Sequence, residues 1–339
     1  MMRASRLAPL AALASLVGAL AGCESSSQLP MTTLAPKSDL ASEIHQLFLE
    51  VTAWDALIFL IVMVAFVLAV FVFSTRAGEA APPSQASSDL TLEIAWTLGP
   101  ALVLLMISIP TVRTIFRSQP RLAPMGSLEI TVVAHQWWWE FDYPDGHKTA
   151  NEMHIPTGQT IRLHLLSADI IHSFWVPQLG GKRDVVPGQV NQLTFIANVP
   201  GEYPGQCAEF CGLSHANMRL RVFVQTPRDF AMWDKAELAG PATPPANDQL
   251  AVQGAQYFAT SPCTTCHTVE GVSKGYIGPN LTHFGSRTTL AAGVLKNDPA
   301  DVAAWITAPQ TIKPGAYMPA LVLPGPKLNA LVAYLENLK

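Results

Sequence analysis

The chain has 339 residues, of which 49% are hydrophobic and 14% are charged, and its formal net charge is −4. This length allows two or three domains. The charged share lies below the about 25% that is usual for globular proteins, and membrane-spanning segments would account for the deficit. The small negative charge argues against nucleic acid as a partner and provides no strong steering field.

Residues 1–23 have the pattern of a lipoprotein-type signal peptide. Arg3 and Arg6 precede an apolar stretch, and small residues lead to Cys23 in the tetrapeptide Leu-Ala-Gly-Cys. We therefore expect cleavage before Cys23 and acylation of that residue. An ordinary signal peptide with a chance cysteine is the alternative, and either interpretation exports the chain from a bacterial cytoplasm.

Residues 24–120 are predicted to hold a transmembrane helix hairpin, with spans at about 54–73 and 94–112. Both contain uncharged runs close to the about 20 apolar residues that a span needs; two buried core helices are the alternative. If Cys23 lies outside the cell, two spans return the chain to the outside. The arginines after the second span do not follow the positive-inside rule, but export of the later segments favours this topology.

Residues 121–228 change to short segments of alternating polarity, such as 128–133 and 160–165, separated by Gly and Pro. This pattern predicts an all-β sandwich or barrel. Residues 229–248 are rich in Pro and Ala, which predicts a flexible linker able to span roughly 25 Å. Residues 249–339 return to helical patterns and predict a small all-α domain.

A possible metal-binding loop follows the pattern C-x-x-x-C-x-x-x-H-x-x-M, from Cys207 to Met218. Thiolate and imidazole suit both copper and zinc, but a thioether is unusual in zinc sites, so the set favours copper. Because one copper needs one thiolate, Cys207 and Cys211 indicate two coppers that share both sulfurs. A disulfide between these two cysteines is the alternative.

Each copper then needs a terminal imidazole. His215 supplies one, and His172 is our candidate for the second. Met218 is the weak axial ligand of one copper, and the carbonyl oxygen of Glu209 is the candidate for the other. The choice of His172 stays open, because the predicted β domain holds further histidines: His135, His147, His154 and His164.

A second motif, C-x-x-C-H, comprises Cys263, Cys266 and His267. It is the attachment signal of a c-type haem, with thioether bonds to both cysteines and His267 as the proximal iron ligand. Met318 is the expected sixth ligand, and such His/Met ligation raises the haem potential. His283 is a competing sixth ligand, and a redox-active or zinc-binding cysteine pair is the alternative for the motif.

These motifs carry a family resemblance. Residues 43–228 resemble subunit II of haem–copper cytochrome c oxidases, because 206–218 matches the family's CuA loop and 169–177 its upstream histidine segment. The resemblance implies a cupredoxin-like barrel, and a magnesium or manganese ion shared with subunit I at the Glu209 side chain. It also implies these ligands of the dinuclear copper: His172, Cys207, the Glu209 backbone oxygen, Cys211, His215 and Met218.

Two further positions carry over from the family. Trp137, in a His-Gln-Trp-Trp-Trp run, resembles the residue at which electrons enter, although Trp138 replaces the family's usual tyrosine. Glu93 resembles the carboxylate at the mouth of a proton path into subunit I. The alternatives are an ordinary aromatic cluster for the tryptophans and, for Glu93, a carboxylate favoured by a helix N-terminus.

Residues 249–339 resemble class I cytochromes c, and the whole chain resembles subunit II of caa-type oxidases. The resemblance implies a subunit of a bacterial cytochrome c oxidase in the inner membrane, with its copper and haem domains on the periplasmic side. Electrons would pass from a donor, either cytochrome c or a quinol–cytochrome c reductase, to the chain's own haem c. They would continue through Trp137 to the copper pair and then to subunit I.

In that arrangement subunit I reduces oxygen and pumps protons, subunit III is a further partner, and this chain alone performs no oxygen chemistry. Two other functions fit part of the sequence. One is an electron carrier for a nitric oxide or nitrous oxide reductase; the other is a copper chaperone or sensor lipoprotein. Neither would need both Glu93 and Glu209 beside a subunit I, and the second would not need the haem motif.

Overall fold

The computed structural model describes residues 29–72, 88–119 and 124–339. The predicted signal peptide, with Cys23, lies outside the described residues. These described residues divide into two compact units: one lies within Ser42–Arg121, and the other comprises the remaining described residues.

The first unit consists of apolar helices. Helix α1 spans Asp39–Val72, beginning just before this unit, and helix α2 spans Leu90–Ser118. Both are long and apolar enough to cross a membrane, and each predicted span falls on one of them. Asp89 caps α2, because its carboxylate accepts hydrogen bonds from the backbone N–H groups of Thr91 and Leu92 at 3.0 and 3.2 Å. Apolar side chains are exposed along both helices, as expected of helices that face lipid.

Within residues 124–225, which we call the β domain, the chain forms two five-stranded sheets. The first has the order β3-β2-β1-β5-β8 and the second β4-β10-β9-β6-β7. The strands are β1 Leu128–His135, β2 Trp138–Asp142, β3 Lys148–Ala150, β4 Glu152–Pro156, β5 Thr160–Ser167, β6 His172–Trp175, β7 Arg183–Val185, β8 Asn191–Ile196, β9 Gly201–Cys207 and β10 Arg219–Gln225. The all-β prediction is confirmed.

The alternation seen in the sequence places one face of each central strand in the core. Ile130 and Val132 of β1 and Ile161 and Leu163 of β5 are fully buried, and β1 and β5 run parallel with Ile130 opposite Leu163. Successive side chains of a strand point to opposite faces, so the residues between them face outward. The two sheets enclose an aromatic and aliphatic core that includes Trp139, and Cys211 and Met218, which follow β9 in the chain, belong to the same core.

The C-terminal domain, residues 249–339, is mainly helical. It contains α4 Gln249–Thr260, α5 Cys263–Cys266, α6 Pro299–Thr307, α7 Pro309–Ile312 and α8 Gly325–Asn337, with the short strand pairs β11 Thr268–Val269 with β12 Ser273–Lys274 and β13 Thr289–Leu290 with β14 Leu295–Lys296. Helices α4 and α8 cross at Gly254, where a Cβ atom would lie 1.9 Å from the carbonyl oxygen of Ala330. Glycine is therefore required at this crossing.

The segment predicted as a flexible linker, 229–248, differs from that prediction in its first half. Residues Pro227–Glu237 form helix α3, whose N-cap Thr226 accepts a hydrogen bond from the Asp229 N–H at 3.2 Å. Phe230 and Trp233 pack against the core of the β domain. The segment is ordered because these aromatic side chains, three residues apart, share one face of the helix.

The β domain and the C-terminal domain belong to the same compact unit and are joined by a buried carboxylate. Glu152, which is 4% exposed, accepts hydrogen bonds from the backbone N–H groups of Thr288 and Thr289 at 3.0 and 2.8 Å. It also accepts from their hydroxyl groups at 2.7 and 2.9 Å. This contact fixes the C-terminal domain against strand β4.

Candidate metal centre and haem cavity

The four sulfur- and nitrogen-bearing side chains of the predicted copper loop lie together between β9 and β10. The Sγ atoms of Cys207 and Cys211 are 3.8 Å apart, so no disulfide joins them. Cys211 Sγ lies 3.5 Å from His215 Nδ1 and 3.9 Å from Met218 Sδ. The backbone closes this loop, since the Cys207 N–H donates to the Met218 carbonyl at 2.9 Å.

His172 joins this cluster from another strand. Strand β6 pairs with β9 so that Phe174 lies opposite Cys207, and His172 Nδ1 lies 3.9 Å from Cys207 Sγ. The other ring nitrogen, Nε2, lies 2.7 Å from a carboxylate oxygen of Asp169. Such an outer partner fixes the orientation of a ligating imidazole. Our sequence reasoning did not assign Asp169 a role, although its position three residues before His172 was a usable signal.

The thiols of the cluster interact strongly. The hydrogen bond from the Cys211 thiol lowers the pKa of Cys207 to about 3 and correspondingly raises the pKa of Cys211. Burial opposes charge on His172, yet its hydrogen bonds with Asp169 and Cys207 leave its pKa raised. The pocket thus stabilises a thiolate, which is the form that binds metals.

Glu209 lies between the two cysteines in the chain, and its backbone oxygen and its side chain have different surroundings. Its backbone oxygen lies 3.2 Å from Cys207 Sγ, while the residue is exposed. Two cysteine sulfurs, two imidazoles, a thioether and a carbonyl oxygen therefore face one site in which Cys207, Cys211, His172 and Met218 are buried. This donor set fits copper better than zinc because of the thioether.

The three consecutive tryptophans have three different surroundings. Trp139 is fully buried in the core and packs edge-on against Phe174 at 5.5 Å. Trp138 stacks on His135 with ring centroids 4.2 Å apart. Trp137 is 7% exposed, and its indole Nε1 donates to the Cys211 carbonyl at 2.8 Å. Trp137 is thus the tryptophan that touches the copper loop.

The haem motif lines a cavity between the C-terminal domain and the β domain. Cys263, Cys266, His267 and Met318 border it, and Trp137 and Trp138 border it from the β domain. His267 Nδ1 donates a hydrogen bond to the carbonyl oxygen of Pro279 at 2.8 Å, which leaves Nε2 available as a ligand. A Cβ at Gly278 would lie 2.6 Å from the His267 ring, so glycine is required behind the imidazole. These features fit a covalently attached c-type haem.

Met318 and His283, the two candidates for the sixth haem ligand, differ in position. Met318 lines the same cavity as the C-x-x-C-H segment. His283 is 8% exposed and its Nε2 donates to the carbonyl oxygen of Glu237 at 3.1 Å. His283 is therefore engaged with the end of helix α3.

The segment before Met318 contacts both Trp137 and the copper loop. The Lys313 side chain donates through Nζ to the carbonyl oxygens of Trp137 and Ala291, the latter at 3.1 Å. The Ser214 hydroxyl donates to the Pro314 carbonyl at 2.6 Å. A Cβ at Gly315 would lie 2.8 Å from the Trp137 ring. Sequence reasoning missed these residues, because no local pattern signals a contact between domains.

Glu93, the predicted proton-path residue, lies in the first turn of α2. Its backbone N–H donates to the Asp89 carbonyl at 2.9 Å. It belongs to the helical unit 42–121, whereas the copper loop and the haem cavity belong to the other unit.

Comparisons with known proteins agree with this division of the chain. Residues 27–114 match the transmembrane domain of cytochrome c oxidase subunit II, residues 147–225 its periplasmic domain, and residues 251–339 cytochrome c. The subunit 2 of cytochrome c oxidase from Alkalihalophilus pseudofirmus is 34% identical, with 99% of this chain and 97% of that protein covered. The Bacillus subtilis subunit 2 is also 34% identical, over 100% of this chain and 99% of that protein.

A solved structure of the periplasmic domain of subunit II of cytochrome oxidase from Bradyrhizobium japonicum aligns with 34% of this chain and 96% of its own, at 32% identity and a TM-score of 0.33. The subunit II and cytochrome c domains point to copper and haem c as the bound groups. The chain belongs to the cytochrome c oxidase subunit II family, as a member with a C-terminal cytochrome c domain, and is thus a subunit of an oxidoreductase.

Proposed function

We propose that this chain delivers electrons from its own haem c to a dinuclear CuA centre, and from there to the haem–copper subunit I of a bacterial cytochrome c oxidase. Subunit I reduces oxygen to water and pumps protons. When bound, the haem and the copper pair each supply a one-electron carrier. Cys263, Cys266, His267 and Met318 would hold the haem.

One observation carries this proposal: Trp137 contacts the copper loop on one side and the haem domain on the other. Its indole N–H donates to the carbonyl of Cys211, and its ring stacks on that of Tyr317. Tyr317 directly precedes Met318 in the chain. A fixed contact of this kind keeps the distance between the two centres constant, so that delivery does not depend on a diffusional encounter.

The protein residues of the copper centre have distinct roles. Cys207 and Cys211 would bridge the metals, and His172 and His215 would each complete one of them. Met218 and the Glu209 carbonyl oxygen would be the weak ligands. Asp169 holds the His172 ring through Nε2, and Trp137 holds the Cys211 carbonyl, so the ligands are oriented before metal binds.

The remaining assignments concern partners and position. We propose that the exposed Glu209 carboxylate binds a magnesium or manganese ion shared with subunit I, and that Glu93 lies at the mouth of a proton path. The β domain and the haem domain would lie on the periplasmic side of the inner membrane, with Cys23 as the lipid attachment point. Subunit III is the further partner, and the external donor is cytochrome c or a quinol–cytochrome c reductase.

The proposal is tested by purifying the membrane complex through a tag on this chain and assaying oxygen, nitric oxide and nitrous oxide reduction. We expect a haem–copper subunit, oxygen reduction, and a ratio of copper to covalent haem that matches a dinuclear site. Reduction of nitric oxide or nitrous oxide without oxygen reduction would favour the electron-carrier alternative. Loss of manganese from a Glu209→Gln complex, compared with wild type, tests the shared ion.

A further inference from the structure

A second group of metal-binding side chains lies away from the copper loop, between the β2–β3 turn and helix α3. Asp145, His147 and Asp234 each offer one ligand atom, and these atoms lie within 4.8 Å of one another. His147 Nε2 and Asp234 Oδ1 are 3.8 Å apart. This distance is too long for a hydrogen bond but is one that a single cation can bridge, because metal–ligand bonds of this kind measure about 2.0–2.2 Å.

His147 is the unusual member of the group. Its side chain is only 6% exposed, yet neither ring nitrogen has a hydrogen-bond partner among the described residues. Buried polar atoms are normally satisfied, and an unsatisfied one costs about 1–3 kcal/mol. The face of the ring has a partner, because it stacks on Tyr143 with centroids 4.3 Å apart. The two nitrogen atoms on the ring edge have no hydrogen-bond partner among the described residues.

The local backbone sets up this arrangement. The Tyr143 N–H donates to the His147 carbonyl at 3.1 Å and closes the turn, with Gly146 at a φ of +98°. This turn brings Asp145 and His147 to the same place. Asp234 follows Trp233, which packs on Tyr143 at 5.2 Å and so sets the position of helix α3 over the turn.

The charges also favour a cation. Burial and the neighbouring carboxylate of Asp145 raise the pKa of Asp234, since two carboxylates held together repel each other. Burial lowers the pKa of His147, which favours the neutral imidazole that binds metals. A divalent ion would reduce the repulsion between Asp145 and Asp234 and would also give the unpaired His147 nitrogen a partner.

We propose that Asp145, His147 and Asp234 bind a divalent transition-metal ion, represented by Zn²⁺, which fixes helix α3 to the β2–β3 turn. One imidazole and two carboxylates suit zinc or manganese rather than Cu(I), which prefers thiolate and thioether ligands. Asp145 is exposed, so the ion would be reached from solvent and a water molecule would complete its coordination. Helix α3 also meets the haem domain, where Glu237 accepts the hydrogen bond from His283, so the ion would stiffen the connection between the domains.

The test uses the full chain in detergent, loaded with copper and haem so that the cysteines are occupied. Zn²⁺ binding is measured by equilibrium dialysis with elemental analysis. The test variant is Asp145→Asn with Asp234→Asn, which preserves side-chain volume. The control is Glu129→Gln with His164→Gln, a pair elsewhere on the β domain whose His164 Nε2 lies 2.9 Å from Glu129. Unchanged copper and haem absorption shows that each variant is folded.

Loss of one supporting partner costs about 10- to 100-fold in metal affinity, so loss of two ligands should cost about 100-fold or more. We expect wild type and the control variant each to bind one Zn²⁺ in addition to their copper, and their melting temperature to rise when it binds. The test variant should bind no additional Zn²⁺, and its melting temperature should not change. Equal zinc affinity in wild type and the test variant would overturn the site. So would the absence of any zinc bound to wild type.

Discussion

The rings of Trp137 and Tyr317 stack across the boundary between the β domain and the haem domain, with centroids 6.3 Å apart and planes inclined by 14°. The two residues are 180 positions apart in the chain. One contacts the copper loop through the Cys211 carbonyl, and the other adjoins Met318. The haem domain is therefore held in a defined pose beside the copper loop rather than tethered loosely to it.

Replacing Tyr317 by leucine should weaken this pose. An aromatic pair contributes about 0.5–1.5 kcal/mol beyond its buried area, which corresponds to about a two- to tenfold decrease in the docking equilibrium constant. We expect the rate of haem-to-copper electron transfer, followed by flash reduction, to fall by up to that factor. Tyr276→Leu is the matched control, because Tyr276 is an exposed tyrosine of the same domain, 86% accessible. An equal decrease in both variants would contradict the role of the stack.

Glu152→Gln should loosen the haem domain. The buried carboxylate accepts from two N–H groups and two hydroxyl groups, and a hydrogen bond to a charged group contributes about 1.5–3 kcal/mol. An amide would also turn NH₂ hydrogens toward those donors. We expect faster proteolysis between helices α3 and α4 and a larger radius of gyration.

The control for this change is Glu202→Gln. Glu202 pairs with Arg221 in an exposed ion pair within the β domain, and exposed pairs contribute about 0–1 kcal/mol. Proteolysis of that variant should match wild type. If Glu152→Gln also matches wild type, the buried carboxylate does not hold the domains together.

The stability of the chain should depend on pH through Lys313. Burial lowers the pKa of this ammonium to about 7 from its usual 10.5. Between those values the unfolded chain binds the proton and the folded chain does not, so stability contributed by the neutral amine rises with pH. This contribution to stability is fully present above about pH 10.5, decreases as the pH falls from there, and is lost once the pH has fallen through about 7. We expect wild type to gain melting temperature relative to Lys313→Met from pH 7 to pH 10. A constant difference between them would contradict the burial argument.

Asp169→Asn should weaken copper binding without removing a ligand. The carboxylate lies 2.7 Å from His172 Nε2, and loss of such a partner costs about 10- to 100-fold in metal affinity. Competition with a chelator measures the effect. Glu129→Gln removes a similar carboxylate from His164 outside the copper loop and should leave copper affinity unchanged. Unaltered affinity in Asp169→Asn would show that His172 needs no outer partner.

The sequence could predict the parts of the site that are local in the chain. The ligands from Cys207 to Met218 occupy one loop, so their spacing alone indicated a shared metal. His172 was harder, because its position depends on the pairing of β6 with β9, which places Phe174 opposite Cys207. That register follows from the packing of the whole sandwich, and periodicity within one strand does not reveal it.

The contacts between domains could not be predicted at all. Lys313, Tyr317 and Glu152 show no local pattern, and their partners in the other domain lie more than a hundred residues away. Helix α3 is different, because its signals were present: Thr226 as an N-cap, Pro227 in the first turn, and Phe230 and Trp233 on one face. The prolines at 241, 244 and 245 indicated a linker, and the prediction extended it to residue 229, into the segment that forms helix α3.

Intramolecular electron transfer in the full chain shows whether Trp137 connects the haem domain to the copper loop. The haem is reduced by a flash, and its reoxidation is followed together with copper reduction in wild type, Trp137→Phe and the control Trp138→Phe. Loss of a fixed geometry should slow transfer in Trp137→Phe about tenfold or more, with unchanged copper and haem content and a wild-type rate in Trp138→Phe. A wild-type rate in Trp137→Phe would show that Trp137 does not connect the two domains for electron transfer.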